Sequence, residues 1–317
     1  MNFKKYFTIV GSLLLCIAVA FAGIYTGKHL AHPFQQGNGW DNVDAISEKG
    51  KVNFLVMGTD KEGTRTDVMM LFCLDTTNRS ICVLSIPRDT RVLIGNNYQK
   101  INAAYSINRE ELAVKTVRSL TGLPIHNYFV IDFEGFRKII DELGGVEFNV
   151  PQNMDYEDPY QDLYIHLKKG QQTLNGDQAE QLVRFRATYT MGDLDRINLQ
   201  QEFLMAMVEQ KMNAKYLGKA PAIYSSISNH AISNMSGSDV VTYAGMVKSL
   251  GTDSVKSMTI PGTAQTINGI SYVICDEAEM ARIANNIINY GSFEAPGGAE
   301  GGNAETSETG EKEAFLD

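Results

Sequence analysis

The sequence predicts an α/β protein, a three-layer α-β-α sandwich with a central mixed sheet, preceded by one N-terminal transmembrane helix. Three observations carry this reading. Tyr6–Thr26 runs without a charge for about the 20 residues that a helix needs to cross a bilayer. Val52–Met57, Val68–Leu74 and Ile81–Ile86 are apolar runs of strand length, separated by polar turns. Beyond them helical and strand patterns alternate, which is the signature of helices layered on a sheet.

Lys4 and Lys5 precede the apolar run, so residues 1–5 are expected in the cytoplasm, residues 6–27 in the membrane, and the rest outside. The rival is a cleaved signal peptide, because Ala20-Phe21-Ala22 resembles a small-x-small site. The apolar run continues past that site, which favours the uncleaved anchor. Residues 28–50 turn polar and glycine-containing and read as a stalk. Residues 51–291 form the folded body. Residues 292–317 are rich in Gly, Glu, Ser and Thr, cannot support a core, and are expected to be a disordered acidic tail.

Within the body, Asn108 caps a helical pattern to Leu120 that Gly122 and Pro124 end. Tyr128–Phe133 reads as a strand, Glu134–Leu143 as an amphipathic helix, and Val146–Val150 as a strand that Pro151 stops. Gln152–Gln161 is polar and acidic and reads as a solvated loop, followed by a strand over Leu163–Leu167. Helices are expected over Asp177–Phe185, Arg196–Met212 and Ser238–Leu250. Strands at Ser257–Ile260 and Tyr272–Cys275 lead to a last helix capped by Asp276 with Glu279.

The net charge of −9 is concentrated at the end: from Glu294 onward there are seven acids and one lysine, leaving the rest of the chain close to balance. A basic pocket for a polyanion is therefore compatible with the composition. Nucleic acid is not an expected partner, since there is no basic stripe and no zinc-finger spacing. Neither a Walker A sequence, nor G-x-G-x-x-G, nor G-x-S-x-G occurs. The four cysteines form no C-x-x-C motif. Cys73 and Cys82 flank a turn at Thr76–Arg79 and are read as buried thiols rather than a disulfide.

Charge gathers at the strand ends. Asp60, Arg65, Asp67, Arg88, Asp89 and Lys100 all lie between or just beyond apolar runs, where open α/β sheets bind ligands. Arg184 and Arg186 would share one side of an extended segment, giving a guanidinium fork suited to phosphate oxygens. Asp60 and Asp67 supply hard oxygen ligands of the kind Mg²⁺ takes when it also binds phosphates. The five scattered histidines lack ligand spacing.

The segments GTDKEGTRTDVMML, LSIPRDTRV, KINAAYS, FEGFRKIIDELGGVEFNVP, LNGDQAEQLVRFR and GDLDRINLQQ together resemble the successive motifs of the LytR-CpsA-Psr family over Val52–Met212. The resemblance implies an enzyme outside the membrane that moves an anionic glycopolymer, of wall teichoic acid or capsular type, from a polyprenyl-pyrophosphate carrier to peptidoglycan. It implies Mg²⁺ on Asp60 and Asp67, with Arg65 between them. Pyrophosphate would fall to Arg65, Arg88, Lys100, Arg184, Arg186 and Gln200. Asp193 and Arg196, before a long helix, would join Arg88 in catalysis, Asp193 as the base. Leu199 and Glu180 depart from the family pattern.

The carrier tail requires an apolar tunnel in the sheet-helix layer, for which Phe129, Ile131, Phe136 and Ile139 are candidates, with Ile140, Leu143 and Val146 beyond them; core packing explains the same residues. Hydrolysis by the same clamp, and a non-enzymatic envelope regulator, are the alternatives to transfer.

Overall fold

The protein is described by a computed structural model, which covers residues 50–60, 63–161, 163–185, 193–211, 227, 229–235, 239 and 255–294. The anchor, the stalk up to residue 49, Arg186, the tail from residue 295 and nearly all of the Ser238–Leu250 helix lie outside the described residues. Among the described residues no helix is long and apolar enough to cross a membrane.

Strands β1 (Lys51–Thr59), β2 (Thr66–Asp75) and β3 (Ser80–Ser85) form the centre of a six-stranded sheet completed by β6 (Asn127–Ile131), β11 (Ala231–Ser233) and β12 (Val255–Thr259), in the order β11-β6-β1-β2-β3-β12. The β1–β6 and β3–β12 pairs are parallel and the other three antiparallel, so the sheet is mixed. Alternate residues of each strand feed opposite cores. Phe54, Met70 and Phe72 enter one hydrophobic cluster, while Leu55, Met69 and Leu71 enter the other. Both faces are buried, which is why these strands read as continuous apolar runs.

Helices cover both faces. The second cluster is closed by α1 (Ala103–Thr121), contributing Ala113, Val114 and Val117, and by α5 (Glu277–Tyr290), contributing Met280, Ile283 and Ile287. The first is closed by α2 (Phe133–Glu142), α3 (Gly176–Arg184) and α4 (Asp193–Lys211). Burying Ile139 and Ile140 of α2 contributes about 1.5–3 kcal/mol each. Helix α3 sits directly on the α2 backbone: Gly176 N–H donates to Asp141 Oδ1 at 2.7 Å. A Cβ at Gly176 would lie 2.5 Å from the Arg137 carbonyl oxygen, so only glycine permits this approach.

Small two-stranded antiparallel pairs complete the body: the hairpins β4 (Arg91–Ile94) with β5 (Asn97–Lys100), β8 (Met154–Asp158) with β9 (Leu163–Leu167), and β13 (Gly262–Ile267) with β14 (Ile270–Cys275), and the pair β7 (Val146–Val150) with β10 (Gly170–Leu174) that brackets β8 and β9. Three expectations are corrected here. The acidic stretch from Gln152 is not a loop, because Met154 is fully buried and anchors β8 against β9, leaving Asp155 and Glu157 exposed. Helix α1 begins at Ala103 rather than at Asn108, which instead marks a break inside it with Arg109. Arg184 is the last residue of α3, with Asn175 and Gln178 forming the capping box at the other end, so no alternating fork with Arg186 follows from an extended segment.

The Thr76–Arg79 turn does bring Cys73 and Cys82 opposite each other, as free thiols. Burial pushes both thiols up, Cys82 to about 12, so neither is a reactive thiolate at neutral pH.

Candidate functional site

Asp67 owes its position to a bulge. Gly58 pairs with Val68 and Thr59 with Thr66, leaving Asp67 as the extra residue on β2. A bulge re-aims the side chain it carries, and Asp67 joins Val68 in lining a cavity beneath the sheet. On the neighbouring strand, Pro87 ends β3 and its carbonyl accepts from Thr90 N at 3.0 Å and Thr90 Oγ1 at 2.7 Å. That tight turn carries Arg88 back toward β2. Arg88 Nη1 donates to Asp67 Oδ1 at 2.6 Å. Its Nε lies 3.8 Å from Asp89 Oδ1, which in turn is 3.0 Å from Lys100 Nζ. Asp67, Arg88, Asp89 and Lys100 thus form one row of alternating charge, each group only partly exposed.

The cavity has a volume of about 160 Å³ and lies between the sheet and helices α2, α3 and α4. Its wall is apolar: Val56, Met70, Phe129, Phe136, Phe203 and Leu204 are representative. Phe203 stands edge-on to Phe136 and Phe148, with ring centroids 6.4 and 5.5 Å away. The polar lining residues are Thr59, Asp67, Asp132 and Gln200. Because Gly58 is level with Ile131 across the parallel β1–β6 pair, Thr59 and Asp132 sit together at the carboxyl ends of these strands, beside the bulged Asp67. The cavity therefore has a polar mouth at the strand ends, where open α/β sheets place ligands, and an apolar interior.

Arg184 stands at this rim. Its guanidinium lies 4.9 Å over the ring of Phe133, a cavity residue. Its Nη1 donates to Glu180 Oε1 at 2.8 Å, and the other Glu180 oxygen accepts from Arg137. Glu180, 8% exposed, serves two arginines. Gln200 is buried and donates to the Val183 carbonyl at 2.8 Å, tying α4 to α3. Gln201 next to it donates to Ser85 Oγ at 2.5 Å, tying α4 to the end of β3.

Asp60 and Arg65 occupy the β1–β2 connection. Asp60 Oδ1 accepts from Thr64 N at 2.7 Å and Arg65 N at 3.2 Å, and Oδ2 from Thr64 Oγ1 at 3.0 Å. The Arg65 side chain is exposed. The structure therefore joins Asp67 to Arg88 directly and Lys100 to them through Asp89, places Gln200 and Arg184 around the same cavity, and sets Asp60 and Arg65 on the adjoining turn. Arg186 lies outside the described residues. Asp193 and Arg196 open α4, and their side chains lie outside the description. Of the tail-binding candidates, Phe129, Ile131, Phe136 and Ile139 line the cavity. Ile140, Leu143 and Val146 are fully buried in the core beside it.

Sequence reasoning assigned no role to Asp132, although the signal was present. Asp132 precedes Phe-Glu-Gly and caps α2 by accepting from Gly135 N at 2.7 Å, while its second oxygen faces His230 Nδ1 at 3.0 Å. Reading Phe133 as strand hid this cap.

Among the described residues no group of three or more His, Cys, Asp or Glu is arranged to hold a metal ion. Mg²⁺ asks for less, since it retains waters and takes one or two carboxylates plus substrate phosphates. Asp67 at the cavity mouth fits that demand. Asp60 fits as well, because a carboxylate has about four acceptor sites and the turn occupies three.

The chain is 32% identical over 257 residues to the polyisoprenyl-teichoic acid–peptidoglycan teichoic acid transferase TagU of Oceanobacillus iheyensis, covering 77% of each chain. It is 32% identical over 222 residues to the regulatory protein MsrR of Staphylococcus aureus, covering 68% of this chain and 66% of that one. The crystal structure of Bacillus subtilis TagV superposes with a TM-score of 0.66 at 27% identity, covering 76% of this chain and 97% of TagV. The profile of the LytR_cpsA_psr family matches residues 19–289, and the chain belongs to that family.

Proposed function

We propose that this protein is a phosphotransferase that moves an anionic glycopolymer from a polyprenyl-pyrophosphate carrier to peptidoglycan, working outside the membrane from an N-terminal anchor. One observation carries the reading: the Asp67–Arg88 pair sits at the polar mouth of an otherwise apolar cavity. A lipid pyrophosphate has the matching form, a doubly charged head on a hydrocarbon tail. The names of the transferase relatives agree with it.

The tail enters between α2 and α4, against Phe129, Phe136 and Phe203. Arg88, Lys100 and Arg184 hold the phosphate oxygens, Arg88 and Arg184 through planar, bidentate donors. Arg65 and Arg186 join them from the adjoining turn and from the segment after α3. An acceptor sugar hydroxyl forms a bond to the sugar-proximal phosphorus, and the bond from that phosphorus to the oxygen of the polyprenyl phosphate breaks. The hydroxyl proton passes to Asp193. The fixed guanidinium groups stabilise charge as it grows on the departing phosphate. Asp60 and Asp67 would hold Mg²⁺, which would supply further neutralisation of the phosphate oxygens.

The test uses the full chain in lipid vesicles with a lipid-pyrophosphate-linked teichoic acid, peptidoglycan oligomers and Mg²⁺. Formation of a polymer–peptidoglycan conjugate is the expected result. Release of free polymer without conjugate would establish hydrolysis instead. Binding with neither product would favour a regulator, the role in the name of MsrR.

A further inference from the structure

Helix α1 is broken at Asn108 (φ −145°, ψ 48°) and Arg109 (φ 47°, ψ −144°). Arg109 thus holds a backbone conformation that glycine adopts freely and that strains any side chain. The destination of its side chain accounts for an arginine there. Arg109 Nη1 donates to the Gly63 carbonyl at 2.8 Å, reaching back 46 residues. On the way its guanidinium lies 4.7 Å over the ring of Tyr105, which is 1% exposed and fixed in the core.

Gly63 belongs to the β1–β2 turn that carries Asp60 and Arg65. Gly63 N–H donates to the Asp60 carbonyl at 3.0 Å, and Asp60 N–H to the Arg65 carbonyl at 2.9 Å. The Asp60 carboxylate braces the same turn from within through Thr64 and Arg65. Arg109 braces it from outside. The groups are close enough to sense one another: burial raises the Tyr105 pKa, the Arg109 charge pulls it down, and the Asp60 charge raises it.

We propose that Arg109 is a positioning residue that clamps the Asp60–Arg65 turn onto α1, and so sets the affinity of the site for its divalent cation. The clamp rests on geometry alone; its effect on the cation rests on the reading of Asp60 as a metal ligand. A strained backbone inside a helix is held where surrounding contacts over-determine it, and here those contacts are the Tyr105 ring and the Gly63 carbonyl. An apolar or short side chain at 109 would bear the strain without making the bridge.

Arg109→Gly deletes the guanidinium without leaving a strained side chain in its place, so what is lost is the bridge. Arg109→Lys keeps a cation that can reach a carbonyl. The measurements are amide hydrogen exchange of the full chain in detergent micelles without metal, and calorimetric titration with Mg²⁺ alone. In Arg109→Gly the Thr64 and Arg65 amides should exchange about tenfold faster, with Val114 and Val117 in α1 unchanged and the melting temperature not lowered. Mg²⁺ affinity should fall about tenfold, and Arg109→Lys should recover part of both losses. Unchanged exchange at Thr64 and Arg65 would overturn the clamp. Faster exchange with unchanged Mg²⁺ affinity would overturn the effect on the cation. Faster exchange in a protein whose wild type binds no Mg²⁺ would support the clamp and overturn its effect on the cation.

Discussion

Arg88 Nη1 donates to Asp67 Oδ1 at 2.6 Å, joining the residue that a bulge pushes out of β2 to the residue after the proline that ends β3. Both side chains keep about a quarter of their exposure, so the pair adds only about 0–1 kcal/mol to stability. Under the proposed function, a phosphate oxygen arriving at the cavity would meet a guanidinium already fixed in place.

Arg88→Ala is therefore expected to lower transfer by about 10²–10³-fold, the usual effect of removing one fixed donor from a developing charge. Its melting temperature should stay within about 4 °C of wild type. Transfer kinetics and a thermal melt on the same preparation check both statements.

Leu204→Trp fills the cavity from α4. The indole would occupy the space that the proposed function gives to the carrier tail, so KM for a long-chain polyprenyl substrate should rise about tenfold. KM for a short-chain analogue should not change. Equal effects on both substrates would show that the tail lies elsewhere.

Glu180→Ala leaves Arg137 and Arg184 without the buried carboxylate between them. Breaking a fully buried pair costs about 3–5 kcal/mol. Arg137 keeps 32% exposure and also meets Glu134, so about 2–3 kcal/mol is expected here. The melting temperature should fall by about 4–12 °C, and KM for the carrier should rise because Arg184 loses its orientation over Phe133.

His126 gives the fold a pH dependence. Its Nδ1 accepts from Asn53 N–H at 2.9 Å, where β6 starts beside β1. Burial first, and then the Arg118 charge, hold its pKa below the ordinary histidine value. The unfolded chain then takes up this proton more readily than the folded one. This contribution to stability is complete above pH ~6.5 and declines as pH falls from there toward the folded pKa. Melting temperatures measured across that window should drop more steeply in wild type than in His126→Gln; parallel curves would exclude the effect.

The sheet was readable because both its faces are covered. Phe54 and Leu55 point to opposite cores, as do Leu71 and Phe72, and continuous apolar runs are the result. The Asp276 cap was readable because its partner Glu279 stands three residues on, where its N–H donates to Asp276 Oδ1 at 3.0 Å. The bulge at Asp67 was not, since a register shift leaves no mark in composition. Strand β8 was hidden because Asp155 and Glu157 face solvent and only Met154 marks the inner side. The strained Arg109 was hidden because arginine gives no sign of a glycine-like backbone. Cavity and core also look alike in sequence: Ile139 lines the space and Ile140 beside it does not, a matter of how α2 is turned rather than of residue type.

The most direct test is a crystal structure of the protein with a polyprenyl pyrophosphate and Mn²⁺ in place of Mg²⁺, located by anomalous scattering. A manganese peak in ligand contact with Asp67, the pyrophosphate on Arg88 and Arg184, and the tail between Phe136 and Phe203 are the expected result. A pyrophosphate bound away from Arg88, or a tail lying outside this cavity, would contradict it.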